Sequence, residues 1–263
     1  MAVITISRGT FSGGKMLAEQ VSCALGYRCI DRDALVKKAA RRGISEYDLR
    51  AALEEPPEFP GTLNHKRYIY FALLQAALAE ETRGGNAVYH GLAGHLLLKG
   101  APGVLRLRII APLEFRIEMA HQRLQLSREE ARTYIEEQDR ERRRWTRYLY
   151  GVDWSDPSLY DVVINLEQMS IEQACRLVVS ATEQGGFEEA PEQEATRNDF
   201  ALASRVRADL ALDVYTLDLE VEVACRDGDV SIRGNFPAQE MEAIRRVALA
   251  APGVTGVTVN PGK

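Results

Sequence analysis

The chain has 263 residues, a formal charge of −5 and 46% hydrophobic side chains, enough apolar material for one large or two ordinary domains. The negative balance argues against a protein that coats nucleic acid, and four scattered cysteines, Cys23, Cys29, Cys175 and Cys225, make neither a zinc quartet nor a CxxC redox pair. With no basic-then-apolar leader pattern at its start and no apolar run of about 18 residues, the sequence points to the cytosol.

The first element is a strand, Val3-Ile4-Thr5-Ile6, which empties into Gly9-Thr10-Phe11-Ser12-Gly13-Gly14-Lys15 and then a helix from Met16 to Leu25 closed by Gly26. Glycines let successive backbone N–H groups turn around phosphate oxygens, the helix N-terminus adds partial positive charge, and Lys15 adds a full one. The loop is a candidate triphosphate cradle, with a packing turn as the plainer alternative. Met16 stands where such loops carry a metal-binding hydroxyl.

A strand Tyr27–Ile30 ending at Asp31 follows, then a polar helix from Arg32 to Arg42. Glu54–Gly61 is too rich in proline for regular structure and reads as a loop before a helix from Asn64 to Thr82, with Tyr68, Phe71, Leu74 and Leu78 facing a core. Apolar runs at Ala87–Tyr89, Val104–Ile110 and Tyr160–Asn165 alternate with helical segments, which predicts parallel βαβ units and a three-layer α/β domain with ligand loops at the strands' carboxyl ends. An acidic, apolar-poor stretch around Glu183–Glu194 reads as a linker. Beyond it come a helix Asp199–Leu212, an alternating strand Leu217–Val223, a hairpin signal Asp227-Gly228, a strand Val230–Gly234, a helix Pro237–Leu249 and a strand Gly256–Val259, a small α+β module of order αββαβ.

Ile4-Thr5-Ile6-Ser7-Arg8 leading into Ser12-Gly13-Gly14-Lys15, the segment Tyr27–Leu35, and Asp139-Arg140-Glu141-Arg142 running on to Gly151-Val152-Asp153-Trp154 carry a resemblance. The first domain resembles the cytidylate-kinase-like family of P-loop nucleoside monophosphate kinases. Val230–Asn235 and Pro252–Val257 of the C-terminal module resemble a BON domain. The expected organisation is a P-loop kinase-like domain at 1–182, an acidic linker at 183–197 and a BON-like domain at 198–263.

The resemblance implies ATP phosphates on Gly9, Thr10, Ser12, Gly13, Gly14 and Lys15, with Mg2+ handling weakened by Met16. It also implies a lid, here Asp139–Arg144 with Arg147 one turn on, bringing Arg140, Arg142 and Arg143 to the transferring phosphoryl group beside Lys15. Residues 139, 142, 143 and 147 share a helical face, which also reads as a solvated surface paired with Glu136, Glu137 and Glu141. On the acceptor side, the glycine-arginine pair of related kinases is Gly91-Leu92 here, leaving Asp31, Arg32, Arg41 and Gly91 as candidate contacts; His90 and His95 read as structural. The implied function is transfer of the ATP γ-phosphoryl group to CMP or a similar nucleoside monophosphate. The alternative is an impaired nucleotide-binding regulator whose BON-like domain contacts a protein or phospholipid.

Overall fold

The computed structural model describes residues 2–54, 65–91, 93–184 and 191–262. The proline-rich stretch 55–61, Leu92 and residues 185–190 of the expected linker lie outside them. In chain order the elements are β1 (Val3–Arg8), α1 (Gly14–Leu25), β2 (Arg28–Asp31), α2 (Arg32–Ala40), α3 (Glu46–Glu54), α4 (His65–Thr82), β3 (Ala87–His90), α5 (Gly94–Leu97), β4 (Val104–Ile110), α6 (Leu113–Leu124) and α7 (Arg128–Tyr150). They continue with β5 (Val162–Asn165), α8 (Ile171–Glu183), α9 (Pro191–Leu212), β6 (Val221–Arg226), β7 (Asp229–Gly234), α10 (Met241–Ala250) and β8 (Gly256–Pro261). Two compact units result, one of residues 1–34, 85–99 and 103–188, the other of 35–84, 100–102 and 189–263.

The first unit is built on a five-stranded sheet of order β2-β3-β1-β4-β5, parallel throughout. Parallel strands are covered on both faces, which is why β1 is buried almost end to end. Ile4 and Ile6 meet Leu105, Leu107 and Ile109 of β4 and, from the covering helices, Leu17, Ala18 and Val21 of α1 with Ala174 and Val178 of α8. The opposite face of β1 carries Thr5 and Ser7, both buried. β1 is the central strand, so its carboxyl end and the glycine loop after it sit at the middle of the sheet's ligand-binding edge. A capping box at Ser127 and Glu130 starts α7, whose Ala131 and Ile135 pack on Ile117 and Ala120 of α6.

In the second unit α4 packs along α9. The Tyr68 hydroxyl donates to the Val221 carbonyl (3.1 Å) and accepts from Arg207 Nε (3.2 Å), while Arg42 pairs with Asp209 (2.7 Å) and Arg205 with Glu80 (2.9 Å). The small sheet runs β6-β7-β8, with β6 and β7 antiparallel and β7 and β8 parallel. Its hairpin turns at Asp227 (φ 52°) and Gly228 (φ 83°), the pair of positive φ values that matches strand twist, and the Asp199 carboxylate accepts from the N–H of Asp227 (2.9 Å). Val206 and Leu210 of α9 and Ile244 and Ala248 of α10 cover Val221, Val230, Ile232 and Val259.

Two expectations shift. Leu217–Leu219 lies in turns and β6 begins only at Val221; the Thr216 hydroxyl donates to the Leu210 carbonyl (2.7 Å) and holds the chain bent, so alternation alone misleads there. α9 begins at Pro191, eight residues before the expected Asp199, because a proline at the first helical position gives up an N–H that has no intrahelical partner anyway. No helix among the described residues is long and apolar enough to cross a membrane.

Candidate active site

The loop between β1 and α1 is pinned from beneath. Gly9 N–H donates to the Ile109 carbonyl (3.3 Å), the buried Ser12 hydroxyl donates to the same carbonyl (3.1 Å), and Ser12 N–H donates to the Gly9 carbonyl (3.1 Å). Gly13 caps α1 with φ 86°, where a Cβ would also stand 2.9 Å from Leu166 Cδ1. Leu17 N–H makes the first intrahelical bond, to Gly13, so the amides of Gly14, Lys15 and Met16 are the free donors that open every helix. No side chain caps them and no acid lies in the first turn. An unneutralised helix start behind glycine is chemically fitted to phosphate oxygens. Lys15 is half exposed, with Glu19 Oε1 at 3.8 Å, and is free to swing.

Asp139 of α7 organises the other wall. One carboxylate oxygen accepts from the Thr10 N–H (3.1 Å) and the Thr10 hydroxyl (2.8 Å), and the other accepts from Arg116 of α6. Arg116 Nε in turn donates to the Thr10 carbonyl (2.7 Å), and Arg142 Nη1 to the Arg8 carbonyl (2.7 Å). Burial, with the like charges of Arg8, Arg116 and Arg32 and against the pull of Asp139, pushes the Arg142 guanidinium down to about 10. Such crowding of cations is tolerable where an anion is meant to sit.

Behind Arg142 stands Trp154, whose ring faces two guanidinium groups, Arg142 at 5.3 Å and the buried Arg108 at 4.2 Å. Arg108 and the Tyr160 hydroxyl both donate to the Trp154 carbonyl, the latter at 2.7 Å, which fixes the backbone that carries the indole. His95 stacks on Tyr160 with ring centroids 4.6 Å apart. Burial, then the charges of Arg106 and Arg108, push His95 down to about 3. An unfolded histidine takes its proton near 6.5, so the stability contributed by keeping His95 neutral is complete above that pH and is lost as pH falls towards 3. His95→Phe, which keeps a ring against Tyr160 but cannot titrate, is expected to lose about 2 kcal/mol less than the parent on going from pH 7 to pH 5. Denaturant unfolding at the two pH values measures this, and equal losses would refute it.

The candidates named from sequence divide by position. Gly9, Thr10, Ser12, Gly13, Gly14 and Lys15 form the loop, and Arg142 is turned towards it. Arg140 is exposed, and Arg143 is also exposed, its Nε 4.0 Å from Asp153. Asp31 accepts from the Ala34 N–H (2.7 Å) at the start of α2, with Arg32 beside it within electrostatic reach of Arg142. Gly91 sits where a Cβ would stand 2.5 Å from the Tyr89 hydroxyl, so its bareness serves the buried phenol. Arg41 is exposed and belongs to the second compact unit. Arg116 and the coordinating role of Asp139 escaped the sequence reading: a lone arginine on an amphipathic helix and an aspartate inside a charge run carry no signal of what they face.

A family model described as "Cytidylate kinase-like family" matches residues 3–168. A cytidylate kinase of Pyrococcus horikoshii is 27% identical over 68% of this chain and 87% of its own length, and one of Methanosarcina acetivorans is 32% identical over 63% and 87%. Among solved structures, an uncharacterized protein from Eubacterium ventriosum aligns with TM-score 0.56 and 13% identity over 70% of this chain and 99% of its own, a likeness of fold.

Proposed function

We propose, from the premise that this chain belongs to the cytidylate kinase-like family, that it is a nucleoside monophosphate kinase that moves the γ-phosphoryl group of ATP to the phosphate of CMP or a similar nucleotide. An oxygen of the acceptor phosphate attacks the γ-phosphorus, the bond to the β–γ bridging oxygen breaks, and ADP leaves. The observation that carries this reading is the uncapped start of α1 behind Gly13, faced by Arg142 and Arg116. Phosphoryl transfer needs little covalent assistance and is driven by positioned positive charge.

In this reading the amides of residues 14–16 hold the donor's phosphates, Lys15 follows the phosphoryl group, and Arg142 neutralises charge on it. Mg2+ would offset the negative charge of the nucleotide's phosphates and would be held mainly by those phosphates and water, because Met16 offers no hydroxyl and no cluster of three metal-binding side chains occurs among the described residues. The choice of CMP is carried over from what the relatives are named for. The αββαβ order of the C-terminal region supports reading it as a BON-like contact module for a protein or phospholipid.

A coupled assay of ADP release with CMP, UMP, dCMP, AMP and GMP tests the proposal. Acceptor-dependent turnover is expected, greatest with a pyrimidine monophosphate. ATP binding without any acceptor-dependent turnover would refute it.

A further inference from the structure

This inference rests on the kinase reading above and concerns how the acceptor is held. An acceptor monophosphate is a dianion brought against another polyanion, and it requires a guanidinium of its own. The expected place for one, after Gly91, is a leucine in this chain.

Arg8, the last residue of β1, lies at the same edge of the sheet. Its stem crosses the first residue of α1: a Cβ on Gly14 would stand 2.7 Å from Arg8 Cβ and 2.8 Å from Cδ. The backbone beneath it is fixed by the bond from Arg142 to its carbonyl (2.7 Å). Among the described residues its Nε is buried without a hydrogen-bond partner, and no carboxylate pairs with it within 4.0 Å. Burial, then the charge of Arg123, pull its guanidinium below the usual arginine range. A half-buried guanidinium whose buried Nε is left in this state is costly unless a ligand completes it.

His90 ends β3, opposite Ile6 of β1 and Asp31 of β2. It is 5% exposed, and its Nδ1 is likewise buried with no partner among the described residues. Burial first, and the charge of Arg8 next, keep it below the ordinary histidine range, hence neutral at physiological pH. Two incomplete polar groups therefore stand near each other at the carboxyl ends of adjacent parallel strands, beside the phosphate loop.

We propose that Arg8, with the imidazole of His90 beside it, binds the phosphate of the acceptor nucleotide, supplying from β1 the guanidinium that is absent after Gly91. Gly14 then has two duties. It frees an amide for the donor, and it leaves room for the arginine that holds the acceptor.

Calorimetric titration of the full chain with CMP, in the presence of a non-hydrolysable ATP analogue, tests this with Arg8→Met and Arg8→Lys. Arg8→Met is expected to weaken CMP about 30-fold or more and the ATP analogue no more than about threefold, with Arg8→Lys between, since lysine keeps charge and stem but not the planar fork. If Arg8→Met does not melt cooperatively, the lysine variant carries the comparison. CMP affinity unchanged in either folded variant, equal losses of CMP and ATP analogue, or a parent that binds no CMP would each overturn the assignment. Steady-state assays separate the two claims. Turnover of CMP with a KM indifferent to Arg8 sinks this assignment and leaves the kinase, whereas Arg8-dependent CMP binding without turnover does the reverse.

Discussion

Lys15→Met is expected to lower kcat by about 10²- to 10³-fold, the scale of removing one positioned positive or donor group from a developing oxyanion. The stability of the protein should hardly change. Lys15 is half exposed and its nearest acid, Glu19, is 3.8 Å away one helical turn on, a contact of the kind that contributes a few tenths of a kcal/mol. Methionine keeps the stem and the helix propensity. The discriminating measurement pairs steady-state kinetics with thermal melting: a melting temperature within about 2 °C of the parent alongside the collapse in kcat shows that charge, not folding, has been removed. A variant that retains a third of the parent's kcat would remove Lys15 from the chemistry.

Asp139→Ala should be damaging in a different way. The carboxylate accepts from Thr10 N–H and hydroxyl and from Arg116, with Arg142 at 3.5 Å, and these side chains are mostly buried. Removing one partner from a largely buried charge group leaves the others uncompensated, at about 3 kcal/mol, or ~6–12 °C in Tm for a chain of this size. Kinetically, under the proposed reaction, two effects oppose each other. Loss of a negative charge near the phosphate loop favours ATP, while loss of the tie between α7 and the loop lets Arg142 and Arg116 drift from the loop they are proposed to serve. Position dominates in the transition state, where an ångström of displacement is worth about 10²-fold, so kcat should fall while ATP affinity holds or tightens. Asp139→Asn, whose single amide oxygen still accepts from Thr10 while its NH2 is turned towards Arg116, should lie between. An alanine variant with parental kcat and Tm would show the contact to be incidental.

How much of this was legible beforehand follows from what each signal encodes. The phosphate loop was, because a buried parallel strand, left-handed glycine and a helix start each leave a residue-type signature, and Gly13 at φ 86° with Gly14 against Arg8 is where those signatures become geometry. The strands of the first unit were, because continuous apolar runs have few other uses. Which arginines of α7 turn inward was not. Spacing places 139, 142, 143 and 147 on one broad face, yet within it Arg142 reaches the Arg8 carbonyl while Arg143 leans to Asp153, a split decided by the tertiary neighbours Trp154 and Thr10. Arg8 was quoted for its motif and given no role, since nothing local distinguishes a guanidinium whose Nε ends buried without a partner from one that ends in water. The turn at Leu217–Leu219 was read as strand for a related reason: alternation records only which side chains are apolar, and nothing in it shows that the Thr216 hydroxyl reaches back to the Leu210 carbonyl and bends the chain.

The packing of α4 along α9 bears on how the polypeptide can be taken apart. Leu73, Ala76, Ala77 and Leu78 of α4 are shut away from water in a unit to which residues 189–263 contribute the larger share. Deleting the tail at residue 188 would strip that helix bare, so the terminal region is no detachable ornament: shortening the gene there would yield a sticky remnant, and kinship with shorter enzymes gives no licence to trim.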